Sequence, residues 1–242
     1  GSTTIGTGVI SAGVATFTTS ALAVGTHSIT ASYGGNATYN TSTSNAVSQV
    51  VNKAPTTTSV VSNSNPSVVG GSVTFTATVT AGATGTVSFI DGSTTIGTGV
   101  ISAGVATFTT SALAVGTHSM TAGYGGDANY LTSTSSAVSQ VVNKAPTTVS
   151  LVSGTNPSTV GGSVTFTATV TAGATGTVSF LDGSTTIGTG VISGGIATFT
   201  TSALSVGTHS ITASYGGDAN YLTSTSSAVS QVVNKISTTV SL

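Results

Sequence analysis

Between Ser72 and Thr80 the chain reads SVTFTATVT. Val73, Phe75, Ala77 and Val79 fall on one side, and Thr74, Thr76, Thr78 and Thr80 on the other. A period of two built from β-branched and aromatic residues marks a half-buried antiparallel strand, because successive side chains leave a strand on opposite faces. The same reading of 54–144 predicts strands at 57–62, 72–80, 86–90, 93–96, 105–110, 117–124 and 137–143. It turns Val87 and Phe89 inward, buries Phe108, and puts His118, Met120, Ala122 and Tyr124 on one face. Ala54-Pro55 punctuates the start, Asn65-Pro66 is expected as a turn or switch, 81–85 as a turn, and Asp91-Gly92 as a hairpin. No segment carries a 3.6-residue apolar period. Seven or so short strands in about 90 residues predict an all-β sandwich or small barrel, a size that folds without disulfides.

The pattern recurs. GSTTIGTG stands at Gly1, Gly92 and Gly183, a spacing of 91; HSIT or HSMT begins at His27, His118 and His209; QVVNK ends at Lys53, Lys144 and Lys235. Residues 54–144 and 145–235 differ at 11 of 91 positions, and 1–53 differs from 92–144 at six of 53. The exchanges are mostly conservative, as in Val60/Leu151, Ile90/Leu181, Val105/Ile196, Met120/Ile211 and Ala103/Gly194, a class that packed cores tolerate. The expected organisation is the C-terminal part of one unit (1–53), two complete units (54–144 and 145–235), and the first strand of another (236–242). Nothing in 1–53 or 236–242 corresponds to 61–91, which carries the two best strands of a unit, so the chain reads as a window on a longer array.

Composition changes the picture mainly through charge. Three Lys, four Asp and no Arg or Glu make 3% charged residues, against roughly 25% in ordinary soluble proteins. Such a chain has no field to attract nucleic acid or an anionic membrane, and little charge to oppose self-association. Polarity comes instead from 39 Ser and 52 Thr. The hydrophobic fraction of 38% and mean hydropathy of +0.42 favour folding over disorder. Without cysteine there is no disulfide, thiolate nucleophile or Cys-metal site. No apolar run approaches the roughly 20 residues of a membrane-spanning helix.

YGGDANY at 124–130 and 215–221, with the preceding GTHSMTAGY or GTHSITASY and the upstream NPSVVGGSVTFTATV, resembles the bacterial immunoglobulin-like repeats of large surface proteins and adhesins. The resemblance covers essentially the whole chain. It implies tandem immunoglobulin-like β-sandwiches of about 91 residues at the cell surface or outside the cell. It leaves function open, because such modules serve as spacers, binders and assembly elements alike.

Candidate chemistry is sparse. His27, His118 and His209 have no second imidazole, thiol or catalytic partner at a useful spacing, and each is expected as a hydrogen-bonded residue at a sandwich end. Asp127 and Asp218 follow Gly-Gly; Asp91 and Asp182 precede Gly. Calcium wants six to eight oxygens, more than two separated aspartates offer, and Asn36 replaces the first loop's aspartate, so Asx-turn capping is the better reading. Lys53, Lys144 and Lys235 read as solvated edge charges that discourage strand addition, in preference to isopeptide cross-links. The sequons at Asn36 and Asn40 are read as chance. TTIGTG opens no helix, so it is no phosphate cradle. The expectation is a non-catalytic chain with no catalytic, metal or cofactor site: a spacer or fibre subunit of an extracellular bacterial stalk. Its expected partners are other copies of itself, end to end and laterally, and a glycan coat on the Thr/Ser faces. Two alternatives stay open: an adhesin using end loops such as 125–130, and accessory domains of a secreted enzyme.

Overall fold

The computed structural model describes residues 3–242; Gly1 and Ser2, the start of the first GSTTIGTG copy, lie outside it. Every regular element among the described residues is a strand. The first unit contributes β1 (Gly25–Ile29), β2 (Ser32–Tyr33), β3 (Ser42–Thr43) and β4 (Val47–Val51). The middle unit contributes β5 (Thr58–Ser62), β6 (Ser67–Val68), β7 (Val73–Val79), β8 (Thr86–Asp91), β9 (Thr94–Val100), β10 (Val105–Thr110), β11 (Gly116–Tyr124), β12 (Ser133–Thr134) and β13 (Val138–Asn143). The last unit repeats that series as β14 (Val149–Ser153), β15 (Ser158–Thr159), β16 (Val164–Val170), β17 (Thr177–Asp182), β18 (Thr185–Val191), β19 (Ile196–Thr201), β20 (Gly207–Tyr215), β21 (Ser224–Thr225) and β22 (Val229–Asn234).

Two sheets make each complete sandwich. One has the order β10-β7-β5, the other β6-β13-β11-β8-β9 with β12 on β11. Asn65-Pro66 is the switch: before it β5 joins one sheet, and after it β6 runs parallel to β13 in the other. The Asn65 side chain bridges the change by donating to the Ser139 carbonyl and accepting from the Val141 N–H, at 2.7 and 3.0 Å.

The alternation of β7 is realised: Val73, Phe75, Ala77 and Val79 are buried, and Phe75, Phe89, Met120 and Ala122 are 0% exposed. Full burial of each large apolar side chain stabilises the fold by about 1.5–3 kcal/mol. The threonines on the other face of the small sheet pair across strands, as Thr74 with Thr109 and Thr165 with Thr200, both at 2.8 Å.

Phe108 departs from expectation: it is only half-buried. Its ring stacks on Phe89, with centroids 5.7 Å apart, and lies over Gly97, where a Cβ would come within 2.1 Å of the ring. The Ala103/Gly194 exchange also proves more than a small-residue swap. Both residues sit at positive φ (49° and 58°) beside another positive-φ glycine in a two-residue turn. Such a primed turn favours glycine over alanine.

The N-terminal unit shows what strands need. The residues matching β9 and β10, roughly 3–19, form no strand beyond one Ser11–Val14 bridge. The nine-residue β11 is represented by the separate β1 and β2. In a complete unit β9 and β11 both pair with β8, and β10 pairs with β7. In the first unit β1 pairs with β4 and β2 with β3 in two-stranded sheets, and residues 3–19 join neither.

By its internal contacts the chain divides into two compact units. One gathers the chain up to Val61 with Phe75–Phe108 and Met120–Val138; the other gathers Ser62–Thr74, Thr109–Ser119 and Ser139–Leu242. The sequence junction around Lys53 lies inside the first and that around Lys144 inside the second.

Candidate functional site

The polar side chains with structure around them form three groups in each complete sandwich. The first is the loop after β11. Gly125 and Gly126 turn the chain so that the Asp127 carboxylate faces back into it. Oδ1 accepts from the Asn129 and Tyr130 N–H groups (2.8 and 2.9 Å), and Oδ2 accepts from the Thr84 N–H and hydroxyl (2.9 and 2.8 Å). Asp218 repeats all four bonds with Asn220, Tyr221 and Thr175. Desolvation alone would raise the pKa of Asp127, but the bonds from Thr84 and Asn129 outweigh it and hold the carboxyl well below its usual range. Asp218 is depressed in the same way.

Tyr124 and Tyr215 lie buried behind these loops with their hydroxyls outside hydrogen-bonding geometry. Burial pushes their pKa up, and the neighbouring aspartate pushes it further. The carboxylate is therefore the cap of an Asx turn tied to the β7–β8 loop. In the first unit Asn36 keeps the local half, accepting from the Thr38 and Tyr39 N–H groups at 2.8 Å. Among the described residues no three His, Asp or Glu side chains are grouped to hold a metal ion.

The second group surrounds the histidine at the start of β20. His209 Nδ1 meets Asp182 Oδ2 at 2.6 Å, and Nε2 meets the Ser205 carbonyl at 2.8 Å. Both partners are acceptors, so the doubly protonated ring satisfies both. The Ser205 carbonyl and then the Asp182 carboxylate raise the pKa of His209 against the opposing effect of burial. His118 and His27 make the matching carbonyl contact, with Ala114 and Ala23. The histidines are thus turn-holding residues at the sandwich end.

The third group was missed in the sequence. Gln140 and Gln231 are 0% exposed. Gln140 Oε1 accepts from the Ser62 hydroxyl at 2.6 Å, and Nε2 donates to the Ser64 carbonyl at 2.9 Å, with Ser67 Oγ and the Val141 carbonyl at 3.2 and 3.1 Å. The amide thereby stitches β13 to the crossover between β5 and β6. In the first unit Gln49 is exposed and its amide donates to the neighbouring Val50 carbonyl at 3.1 Å.

Of the lysines read as solvated edge charges, Lys53 and Lys235 are exposed and Lys144 is half-buried, and two of the three also make a contact the sequence did not suggest. Lys53 Nζ donates to the main-chain carbonyl of Asp127 at 2.6 Å, 74 residues on, and Lys144 repeats this with Asp218. Lys53 and Lys144 each meet a backbone carbonyl, not a side-chain amide. Beside each one is a shallow apolar cleft of about 600 Å³, one lined by Val24, Val50 and Leu131 and the other by Val115, Val141 and Leu222.

Among curated proteins no sequence matches the chain. Solved structures similar to it include the fibronectin(III)-like modules of Clostridium thermocellum CbhA, at 20% identity over 73% of this chain and 94% of that one, with a TM-score of 0.33. The mouse nectin-like molecule 4 ectodomain (Ig1–Ig3) is 13% identical over 76% of this chain and 66% of its own, with a TM-score of 0.31. Three N-terminal domains of the bacteriophage RB49 Hoc protein are 15% identical over 74% and 59%, also at 0.31. Similarity at this level carries no argument about function. The sequence profile of one family, described as bacterial Ig-like domain (group 3), matches residues 1–52, 60–143 and 151–234. With three matches along one chain, in sandwiches built twice over from the same strands, the protein belongs to the bacterial Ig-like domain (group 3) family.

Proposed function

We propose that this chain is a non-catalytic structural repeat region of an extracellular bacterial stalk or fibre, with 54–144 and 145–235 as its complete units. One observation carries the reading: the two complete sandwiches repeat their principal polar and aromatic contacts at matching positions. The Asp loops, the buried glutamines, the phenylalanine stacks at 5.7 and 5.6 Å and the junction lysines all recur with the same partners. A recognition site arises where one unit departs from the others, whereas uniform units suit a spacer whose length is its function. The loop aspartates, the buried glutamines, His209 and the junction lysines Lys53 and Lys144 are all engaged by their own chain.

Partners in this reading are further copies of the same protein. Near-absent charge leaves little to oppose lateral contact. Val100 and Val191, the last residues of edge strands β9 and β18, are 74% and 73% exposed. A glycan coat on the Ser/Thr faces would keep such a surface soluble. An antibody against the chain, applied to intact producing cells, should label material standing off the envelope, and electron microscopy of the purified array should show extended particles or fibres. Label confined to the cell interior, or compact particles, would overturn the reading. The adhesin alternative, through the 125–130 loop, would show as glycan-array binding, which the spacer reading does not expect.

A further inference from the structure

The two junctions share a construction that a passive linker does not need. The last residue of one unit, Lys53 or Lys144, reaches the carbonyl of the aspartate in the next unit's Gly-Gly-Asp loop. The following alanine extends the contact through its backbone: Ala54 donates to the Asn129 carbonyl at 2.8 Å and accepts from the Leu131 N–H at 2.9 Å, and Ala145 does the same with Asn220 and Leu222. Leu131 and Leu222, each 49% exposed, line the apolar clefts at the ends of the preceding strands and cover part of them. The loop itself is held by the four bonds to its aspartate, so it offers a fixed carbonyl and a fixed leucine.

We propose that the end of each sandwich is a docking surface for the Gly-Gly-Asp loop of the next repeat, with the lysine as clamp and the leucine as plug, and that together they hold the junction in one orientation. A cation donating to a main-chain carbonyl forms a charge-assisted bond, stronger than a neutral one. The plug adds burial, and the alanine bonds define the path of the linker. The clamp uses a main-chain oxygen and is indifferent to the aspartate side chain, which is occupied in shaping the loop. This proposal deepens the stalk reading, on which it rests for its purpose, while its test reads the joint alone.

The chain has no cysteine, so spin labels can be placed at will. With Ser111→Cys and Ser202→Cys, both exposed and 91 positions apart, pulsed electron resonance on the full chain should give a single narrow distance distribution. Lys144→Ala and Leu222→Ser should each widen it, and the pair should at least double its width. Lys144→Arg, which keeps a cationic donor, should restore most of the sharpness. Calorimetry on the same samples should retain both sandwich transitions, separating a loosened joint from lost folding. A broad distribution in the parent chain, or no broadening in the double variant with both sandwiches folded, would overturn the proposal. It would do so without touching the spacer reading, because a flexible string of folded units can still be a spacer.

Discussion

Replacing Gln140 by leucine removes the amide that ties β13 to the crossover between β5 and β6 while nearly conserving volume. The wild-type side chain is fully buried, and its four polar contacts run from 2.6 to 3.2 Å. An amide nitrogen has two hydrogens, so its three contacts amount to two full bonds, and Oε1 supplies a third. At about 1 kcal/mol net per bond, the loss is about 3 kcal/mol, with the Ser64 carbonyl and Ser67 hydroxyl left short of partners. For a unit of this size 1 kcal/mol moves the midpoint by roughly 4–8 °C, so the middle sandwich should melt about 12–24 °C lower. The assay is scanning calorimetry on the whole chain, where the sandwich containing Gln231 serves as internal reference. Gln140→Leu should split off a low-temperature transition and leave the other in place. A shift under about 3 °C would refute the assignment of the buried amide as a principal tie between the two sheets.

Other expectations follow from the same geometry. Gly97→Ala or Gly188→Ala puts a methyl within 2.1 Å of the stacked phenylalanine. The ring must leave Phe89 or Phe180, costing about 1–3 kcal/mol in chemical denaturation. Ala103→Gly should stabilise the middle sandwich by about 0.5–1 kcal/mol, because residue 103 has φ 49° and the third unit already carries glycine there. The raised pKa of His209 sets a pH dependence. Its contribution is complete below the ordinary value of 6.5 and is lost as pH rises through the higher folded value, so the third sandwich should melt lower on the alkaline side of that range. His209→Gln should flatten the pH profile. Asp127 and Asp218 work the other way: their contribution is present above the ordinary 3.8 and fades as pH falls toward their depressed folded values, and Asp218→Ala should remove that acid limb from the third sandwich.

Much of this fold was legible from local pattern. The alternation of 72–80 identified β7 and its inward residues, because parity along a strand reports which face is buried. The sheet switch at Asn65-Pro66 was readable from the same kind of local chemistry. The two-residue strands β6 and β12 were not, since neither is long enough to show a period. Gln140 had a signal that went unused: it shares parity with Val142, which is 2% exposed, so an inward polar side chain was implied. The lysine contacts had no local signal at all, because their partners lie 74 residues away on another unit's loop. Phe108 was placed inward correctly in kind but not in depth, because the depth depends on Gly97, on a strand outside its own sheet.

The central claim is that the complete units are mechanically equivalent modules of a spacer, and pulling on single molecules tests it most directly. Stretched from its two ends, the 242-residue chain should give two unfolding steps of equal contour length. Each should release roughly 280 Å, from a 91-residue unit at about 3.5 Å per residue less a folded length of about 40 Å. Steps of equal length at similar force would fit units built from the same contacts. A single step, or two of unequal length, would contradict the account.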